Sequence, residues 1–328
     1  MIDALAAVAE AALGRWGIAP LAPPVLVNLS ENATFRVDEA ATGRRYALRL
    51  HRDGYHSDAG IRSELAWVMA LRRDGVATTP VPVPGLDGDL LQAVADPSLA
   101  RGRRAVLFAW EAGETPAEDG PKAMLAPMFA ILGETAAKMH GHVAGWRAPA
   151  GFERHVWDFS TSLGDRPHWG AWRDGLGVDP ATAALFARAV AAIGRRLGAF
   201  GASPDRFGLI HADMRLANLL VDGDRVTVID FDDCGFSWHL YDAAAAVSFF
   251  EDDPAVPALL AAWAEGYRRI RPLSAAEEAE LPTFVLLRRL LLVAWVGSHA
   301  ATDLARDLGA GYTLRTAPLC EAYLARFG

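Results

Sequence analysis

The dipeptide Asp222-Gly223 constrains this chain more than any other feature. It separates two short apolar runs, Leu219-Leu220-Val221 and Val226-Thr227-Val228-Ile229. Such a pair must reverse within about two residues and join as a β-hairpin, glycine supplying the positive φ that the tight turn needs. A turn centred on residues 223 and 224 sets Asn218 opposite Asp230. Facing side chains in a hairpin lie roughly 5 Å apart at Cβ. An amide oxygen and a carboxylate at that spacing can share one hard divalent cation, and Mg²⁺ suits them because it takes its remaining ligands from water and phosphate oxygens.

Five residues before Asn218 stands Asp213, in the loop that enters the hairpin. A carboxylate there can accept a proton from, or orient, a hydroxyl beside a metal-bound phosphate. A lone aspartate is usually a surface residue or a cap, and a lone Asp-Gly hairpin is structural. Here they occur together, as His-x-Asp-x-x-x-x-Asn, a hairpin and then Asp230-Phe231. That is the order of a kinase catalytic loop and metal loop, and in it His211 supports the loop rather than touching substrate.

At 328 residues the chain exceeds one compact core, so two lobes are expected. Hydrophobic residues make up 52% and charged residues 22%, a folded and non-disordered balance. The net charge of −8 argues against a nucleic-acid binder and suits a cationic small molecule. Cys234 and Cys320 are too few for a disulfide framework or a zinc site. The first residues carry Asp3 and Glu10 without a basic leader, and residues 284–296, the most apolar stretch, are interrupted by Arg288 and Arg289. They read as a buried helix, so a cytoplasmic protein with no membrane association is expected.

Along the chain, residues 25–29, 34–37 and 46–51 are strand-like, residues 61–73 helical, and residues 89–94 and 104–110 strand-like again. Pro80, Pro82 and Pro84 mark a connector or a sheet edge. Residues 121–142 read as a helix, and Asp179-Pro180 opens another by capping it. Helices resume after the β interlude at 209–231. The expected architecture is α+β: a small β-rich lobe over residues 1–108 and a larger, mostly helical lobe over 109–328, hinged at about 108–113.

On these motifs the chain resembles the aminoglycoside phosphotransferase and choline kinase-like superfamily, over nearly its whole length. The resemblance implies a protein-kinase-like bilobal fold and ATP-dependent phosphoryl transfer. His211-Ala212-Asp213 through Asn218 resembles the catalytic loop, and Ile229-Asp230-Phe231-Asp232 the metal loop. Tyr241-Asp242-Ala243 is similar to the start of the following helix, whose aspartate braces the catalytic loop, caps the helix, or does both. Residues 266–274 with 281–283 are similar to type II homoserine kinases, and the run 230–233 to bacterial stress-response Ser/Thr kinases.

In the first lobe, Ser30-Glu31-Asn32-Ala33-Thr34 occupies the place of the nucleotide-covering loop without a glycine. Ser30, Asn32 and Thr34 are then the candidate phosphate donors, an ordinary turn being the alternative. Arg49 stands where the family carries its phosphate-pairing lysine; the only lysines, Lys122 and Lys138, come too late in the chain. Glu64 is its implied ionic partner. Backbone groups at Ala109, Trp110 and Glu111 are implied to receive the adenine. ATP and Mg²⁺ are thus the expected cofactors, and the hydroxyl of an amino acid, amino alcohol, sugar or aminoglycoside-like molecule the acceptor. A protein substrate, or a nucleotide-binding pseudokinase, remains an alternative. Trp157, Trp169, Trp172 and Trp238 are candidate pocket walls or core.

Overall fold

Residues 33–38 alternate inward and outward, with Ala33, Phe35 and Val37 buried, as a half-buried strand requires. In the computed structural model, which describes every residue except Met1, Glu31, Glu118, Asp119 and Ala301, this strand lies within an antiparallel sheet. Glu31 of the glycine-free loop therefore lies outside the described residues.

The chain divides into two compact units. The first comprises Met1–Glu114, Ala148–Arg154 and Leu220–Asp232. Its sheet runs β1 (Val25–Leu29), β2 (Ala33–Asp38), β3 (Arg45–Leu50), β6 (Arg103–Ala109) and β4 (Pro82–Val83), with β5 (Gln92–Val94) also on β6. On one side Val8, Ala9 and Ala12 of α1 (Ile2–Ala12) pack with Phe35, Leu48, Leu50 and Leu107. On the other, Ile61 and Leu65 of α2 (Asp58–Arg73) pack with Leu91, Val106 and Phe108. Ser57 caps α2 by accepting the Gly60 N–H at 2.9 Å.

The proline stretch does form an edge: Pro82 pairs with Phe108 at the rim, where a missing N–H costs nothing. The strand expected from residue 89 begins only at Gln92. Asp87 and Asp89 first accept the Asp89 and Leu91 N–H groups, at 2.9 and 3.2 Å, which curls the backbone into a turn.

The hairpin reads as the sequence demands, with β9 (Leu219–Asp222) and β10 (Arg225–Val228) joined through Gly223, at φ 59°, and Asp224. Its first-unit part is bound by backbone bonds: Glu114 and Val221 exchange N–H···O bonds at 3.0 and 2.9 Å, and the Val228 N–H reaches the Thr78 carbonyl at 2.9 Å. Phe231 meets Trp67 edge-on.

The second unit comprises Thr115–Arg147, His155–Leu219 and Asp233–Gly328. Its sheet orders β7 (His155–Val156), β11 (Gly235–Trp238) and β8 (Phe207–Ile210). The helices are α3 (Ala126–Gly145), α4 (Phe159–Ser162), α5 (Pro180–Phe200), α6 (Leu240–Ala246), α7 (Val256–Arg268), α8 (Ala275–Glu278), α9 (Leu281–Ser298) and α10 (Asp303–Phe327). Asp179 caps α5 through the Thr182 N–H at 2.7 Å. Helices α3 and α7 cross with their backbones touching: a Cβ on Gly133 would sit 2.0 Å from the Trp263 carbonyl oxygen, and one on Gly266 1.9 Å from that of Ala130. The apolar helix read from the sequence is α9, buried along most of its length.

Candidate active site

In the second unit, strand β8 delivers the chain into the loop 211–218. Ala212 has φ 67°, a left-handed conformation that costs a residue with a Cβ roughly 1–2 kcal/mol. Asp242, on α6, holds it there by accepting the Ala212 N–H at 2.7 Å and the His211 N–H at 3.3 Å. The geometry of Asp242 is that of a loop brace, and no side chain caps α6 at His239.

Asp242 is wholly buried, and burial raises its carboxyl to about 6, against the lowering influence of His211 and the two N–H bonds. Its other neighbour is His140, whose Nε2 lies 2.9 Å away while Nδ1 lies 3.1 Å from the Tyr267 hydroxyl. Burial first, and Arg271 second, hold His140 well below its ordinary value, so the imidazole is neutral. The carboxylate then fixes the proton on Nε2, and Nδ1 accepts from Tyr267.

Asp213 follows Ala212. The His211 Nδ1 accepts the Asp213 N–H at 3.3 Å. The Asn218 amide donates to the Asp213 carbonyl at 2.7 Å and to its Oδ2 at 2.8 Å. The amide nitrogen is thereby engaged, and among the described residues the amide oxygen accepts no hydrogen bond. Arg215 Nε reaches Oδ2 at 3.3 Å, and Arg288 donates to Oδ1 at 2.6 Å. Burial pushes the Asp213 carboxyl up, but Arg215, Arg288, His211 and Asn218 together bring it below the usual carboxylate value.

The four tryptophans are buried. Trp157 and Trp169 pack against each other, Trp172 against Phe186, and Trp238 against Phe207 and Phe284.

In the first unit, Arg49 on β3 makes a buried ion pair with Glu64 on α2 at 2.5 Å. Burial opposes its charge, but Glu64, Asp232 and Asp230 outweigh it and raise the Arg49 guanidinium. Arg49 and Glu64 are thus paired, and the carboxylates of Asp230 and Asp232 act on the same arginine. Its Nε and the second oxygen of Glu64 are buried without a hydrogen-bond partner. Asp230 has φ 63°, a conformation that aspartate tolerates better than most residues.

Asn32 is buried and tied at both ends: its amide donates to Asp232 Oδ2 at 2.8 Å, and its oxygen accepts the Arg52 N–H at 3.1 Å. Thr34 faces Arg49 across β2 and β3, and Ser30 closes a short turn by donating its N–H to the Asn32 carbonyl. At the end of β6 the N–H groups of Ala109 and Trp110 go to Val81 and Arg45, at 2.8 and 3.2 Å. The Glu111 N–H makes no hydrogen bond among the described residues, while its carboxylate pairs with Arg72 and Arg225.

Sequence reasoning passed over Arg288, His140, Tyr267 and Arg154. Arg154 donates to the backbone carbonyls of Gly60 and Asp232 and belongs to the short 148–154 return of the chain. Only Arg288 left a trace in the sequence, as a charge inside an apolar helix.

Comparison with known proteins supports this fold. The structure of a microcompartment-associated aminopropanol kinase superposes with a TM-score of 0.89 at 43% identity, covering 98% of each chain. An amicoumacin kinase, hAmiN, solved with AMP-PNP, Ca²⁺ and Ami, superposes with a TM-score of 0.74 at 20% identity, over 94% of this chain and 90% of that one. A homoserine kinase of Bradyrhizobium diazoefficiens is 29% identical over 237 residues, 66% of this chain and 62% of its own. The mixed α+β architecture matches the protein-kinase-like class of these neighbours. A family model described as "Phosphotransferase enzyme family" matches residues 26–273. The chain therefore belongs to the phosphotransferase enzyme family and is a kinase.

Proposed function

We propose that this kinase moves the γ-phosphoryl group of ATP to the hydroxyl of a small amino alcohol, with Asp213 as the catalytic carboxylate. The observation that carries the reading is the fixed Asp213 carboxylate, ionised and held by Asn218 and Arg288 in a loop braced by Asp242. The amino-alcohol class rests on the 43% identity, over nearly the full length, with an aminopropanol kinase. An overall charge of −8 favours such a cationic acceptor.

Phosphoryl transfer of this type needs positioning and charge stabilisation more than covalent chemistry. Asp213, with its lowered proton affinity, orients the acceptor hydroxyl and takes its proton late, as the bond to phosphorus forms. Arg49 grips phosphate oxygens, its direction set by Glu64. The unpaired Glu111 N–H offers one donor to the adenine edge. The fold lobes proposed for these roles are residues 1–108 for nucleotide and 109–328 for catalysis and acceptor.

The residues also fit a divalent cation. Asn218 turns its amide nitrogen to Asp213, which leaves its oxygen for a metal, and Asp230 flanks the other end of the same hairpin in sequence. Glu64, Asp230 and Asp232 together act on Arg49, a carboxylate excess that a cation offsets. Bound there by Asn218 and Asp230, Mg²⁺ would supply neutralisation of phosphate charge.

The test is a phosphotransfer assay with a panel of amino alcohols, homoserine, choline, an aminoglycoside and a generic protein, on the wild type and Asp213→Asn. The reading expects turnover with an amino alcohol, lost in Asp213→Asn while nucleotide binding persists. Turnover only on the protein, or undiminished turnover in Asp213→Asn, would sink it.

A further inference from the structure

Arg288 lies in α9 at a position that is 2% exposed, within a helix that is apolar apart from it, the adjacent Arg289, Thr283 and Ser298. Taking a guanidinium out of water costs several kcal/mol, and an apolar residue of similar volume commonly serves stability as well or better. A charge kept at such a place calls for another reason.

Its hydrogen bonds give one. Arg288 Nε donates to Ser248 Oγ at 3.1 Å. One terminal nitrogen donates to the Tyr241 hydroxyl at 3.0 Å and to the Ala212 carbonyl at 3.4 Å. The other donates to Asp213 Oδ1 at 2.6 Å. The guanidinium plane lies over the Trp169 ring at 5.1 Å. A guanidinium has five N–H donors, and four are thus committed within the protein. So engaged and so buried, Arg288 is not placed to bind an acceptor. Its short, charge-assisted bond fixes the rotation of one carboxylate.

We propose that Arg288 is the positioning residue for Asp213, and that by pinning Oδ1 from α9 it presents Oδ2 to the acceptor hydroxyl. The inference rests on the reading of Asp213 as the catalytic carboxylate. Tyr241 and Ser248, outside the loop, hold the guanidinium independently of Asp213. Asn218 and Arg215, which share Oδ2, lie in the same loop as Asp213 and cannot provide that outside reference. Arg288, on α9, can.

The experiment compares Arg288→Lys and Arg288→Met, each alone and combined with Asp213→Asn, in the full-length protein. Steady-state phosphotransfer from ATP to the best acceptor of the panel gives kcat and KM, and titration with AMP-PNP gives nucleotide affinity. Arg288→Met is expected to lower kcat about a hundredfold, the loss expected when a reacting group is misplaced by about 1 Å. The KM for ATP and AMP-PNP affinity should stay within about twofold. Arg288→Lys, which can still pair with Oδ1, should recover part of kcat. In the Asp213→Asn background, Arg288→Met should change the residual rate little, because the group it positions is gone.

Equal losses from Arg288→Met in both backgrounds, or a kcat within twofold of wild type, would overturn the positioning role. Should Arg288→Met fail to fold, Arg288→Lys decides. A single ammonium cannot bond Asp213, Tyr241 and Ser248 in the fixed geometry of the guanidinium, so a wild-type kcat in Arg288→Lys contradicts the proposal. A wild-type rate in Asp213→Asn alone would instead overturn the reading beneath it, so the two failures are distinguishable.

Discussion

Replacing Asp242 by asparagine separates the loop's stability from its alignment. The carboxyl rises from 3.8 to about 6 on folding, because burial outweighs His211 and the backbone N–H bonds. A shift of about two units corresponds to roughly 3 kcal/mol between protonation states. The sign follows from where the protons sit. Between about pH 4 and 6 the folded state binds more protons at this group than the unfolded chain, so its contribution to stability falls as pH rises through that window. Above it, the ionised Asp242 costs the fold roughly 3 kcal/mol.

Asparagine removes that cost but supplies a single acceptor oxygen where the carboxylate serves Ala212, His211 and His140. One buried N–H left unpaired costs about 1–3 kcal/mol, so the two effects nearly cancel at pH 7. Catalysis has no such compensation, because an asparagine that keeps the Ala212 bond on its one oxygen loses the His211 N–H bond made to the other, which also fixes the loop where Ala212 takes φ 67°. Urea unfolding from pH 4 to 7, with kcat measured on the same samples, tests this. Asp242→Asn should match wild type in stability at pH 7 to within about 2 kcal/mol, yet wild type should lose roughly 3 kcal/mol relative to it between pH 4 and 6. The variant's kcat should fall about a hundredfold. Parallel pH profiles of stability, or a kcat within twofold of wild type, would refute the reasoning.

Arg49→Ala strands the buried Glu64 carboxylate and should destabilise the protein by about 3–5 kcal/mol in denaturant titration, with AMP-PNP affinity sharply reduced, whereas Arg49→Lys should keep most stability. Chelation with EDTA should abolish turnover and Mg²⁺ restore it; Asp230→Asn should raise the Mg²⁺ concentration for half-maximal rate at least tenfold, read by metal titration at saturating ATP, and an unchanged midpoint would remove Asp230 from the ligand set. Gly133→Ala or Gly266→Ala forces a methyl to within about 2 Å of a facing carbonyl oxygen and should lower Tm by several degrees or prevent folding, checked by differential scanning calorimetry.

The sequence was most legible where chemistry is local. The Asp-Gly hairpin, the Asp179 cap and the proline edge each follow from one or two residues with a fixed conformational demand. The residues proposed for the catalytic loop could be named because their spacing is itself the signal, and the structure gathers His211, Asp213, Asn218 and Asp242 in one unit and Arg49, Glu64, Asp230 and Asp232 in the other. What stayed hidden depends on partners far apart in the chain. That one amide N–H of Asn32 goes to Asp232, two hundred residues on, has no mark in the sequence around Asn32. Arg288 looked like an interruption of an apolar helix, since nothing beside it in sequence announces Asp213. The tryptophans carry no mark that tells a pocket wall from a buried core.

The discontinuous first unit has a consequence for how the protein is made. Its sheet is encoded before Glu114, yet the segment carrying Val221, Val228 and Asp232 is read more than a hundred residues later. At ribosomal speeds of roughly 5–20 residues per second, the nascent sheet waits on the order of ten seconds for its last piece. Through that interval the sites awaiting Thr227 beside Thr78 and Phe231 against Trp67 have no native cover. A chaperone that recognises exposed strand edges and aromatic surface would find its opportunity there, and a chain truncated before residue 220 would never close it.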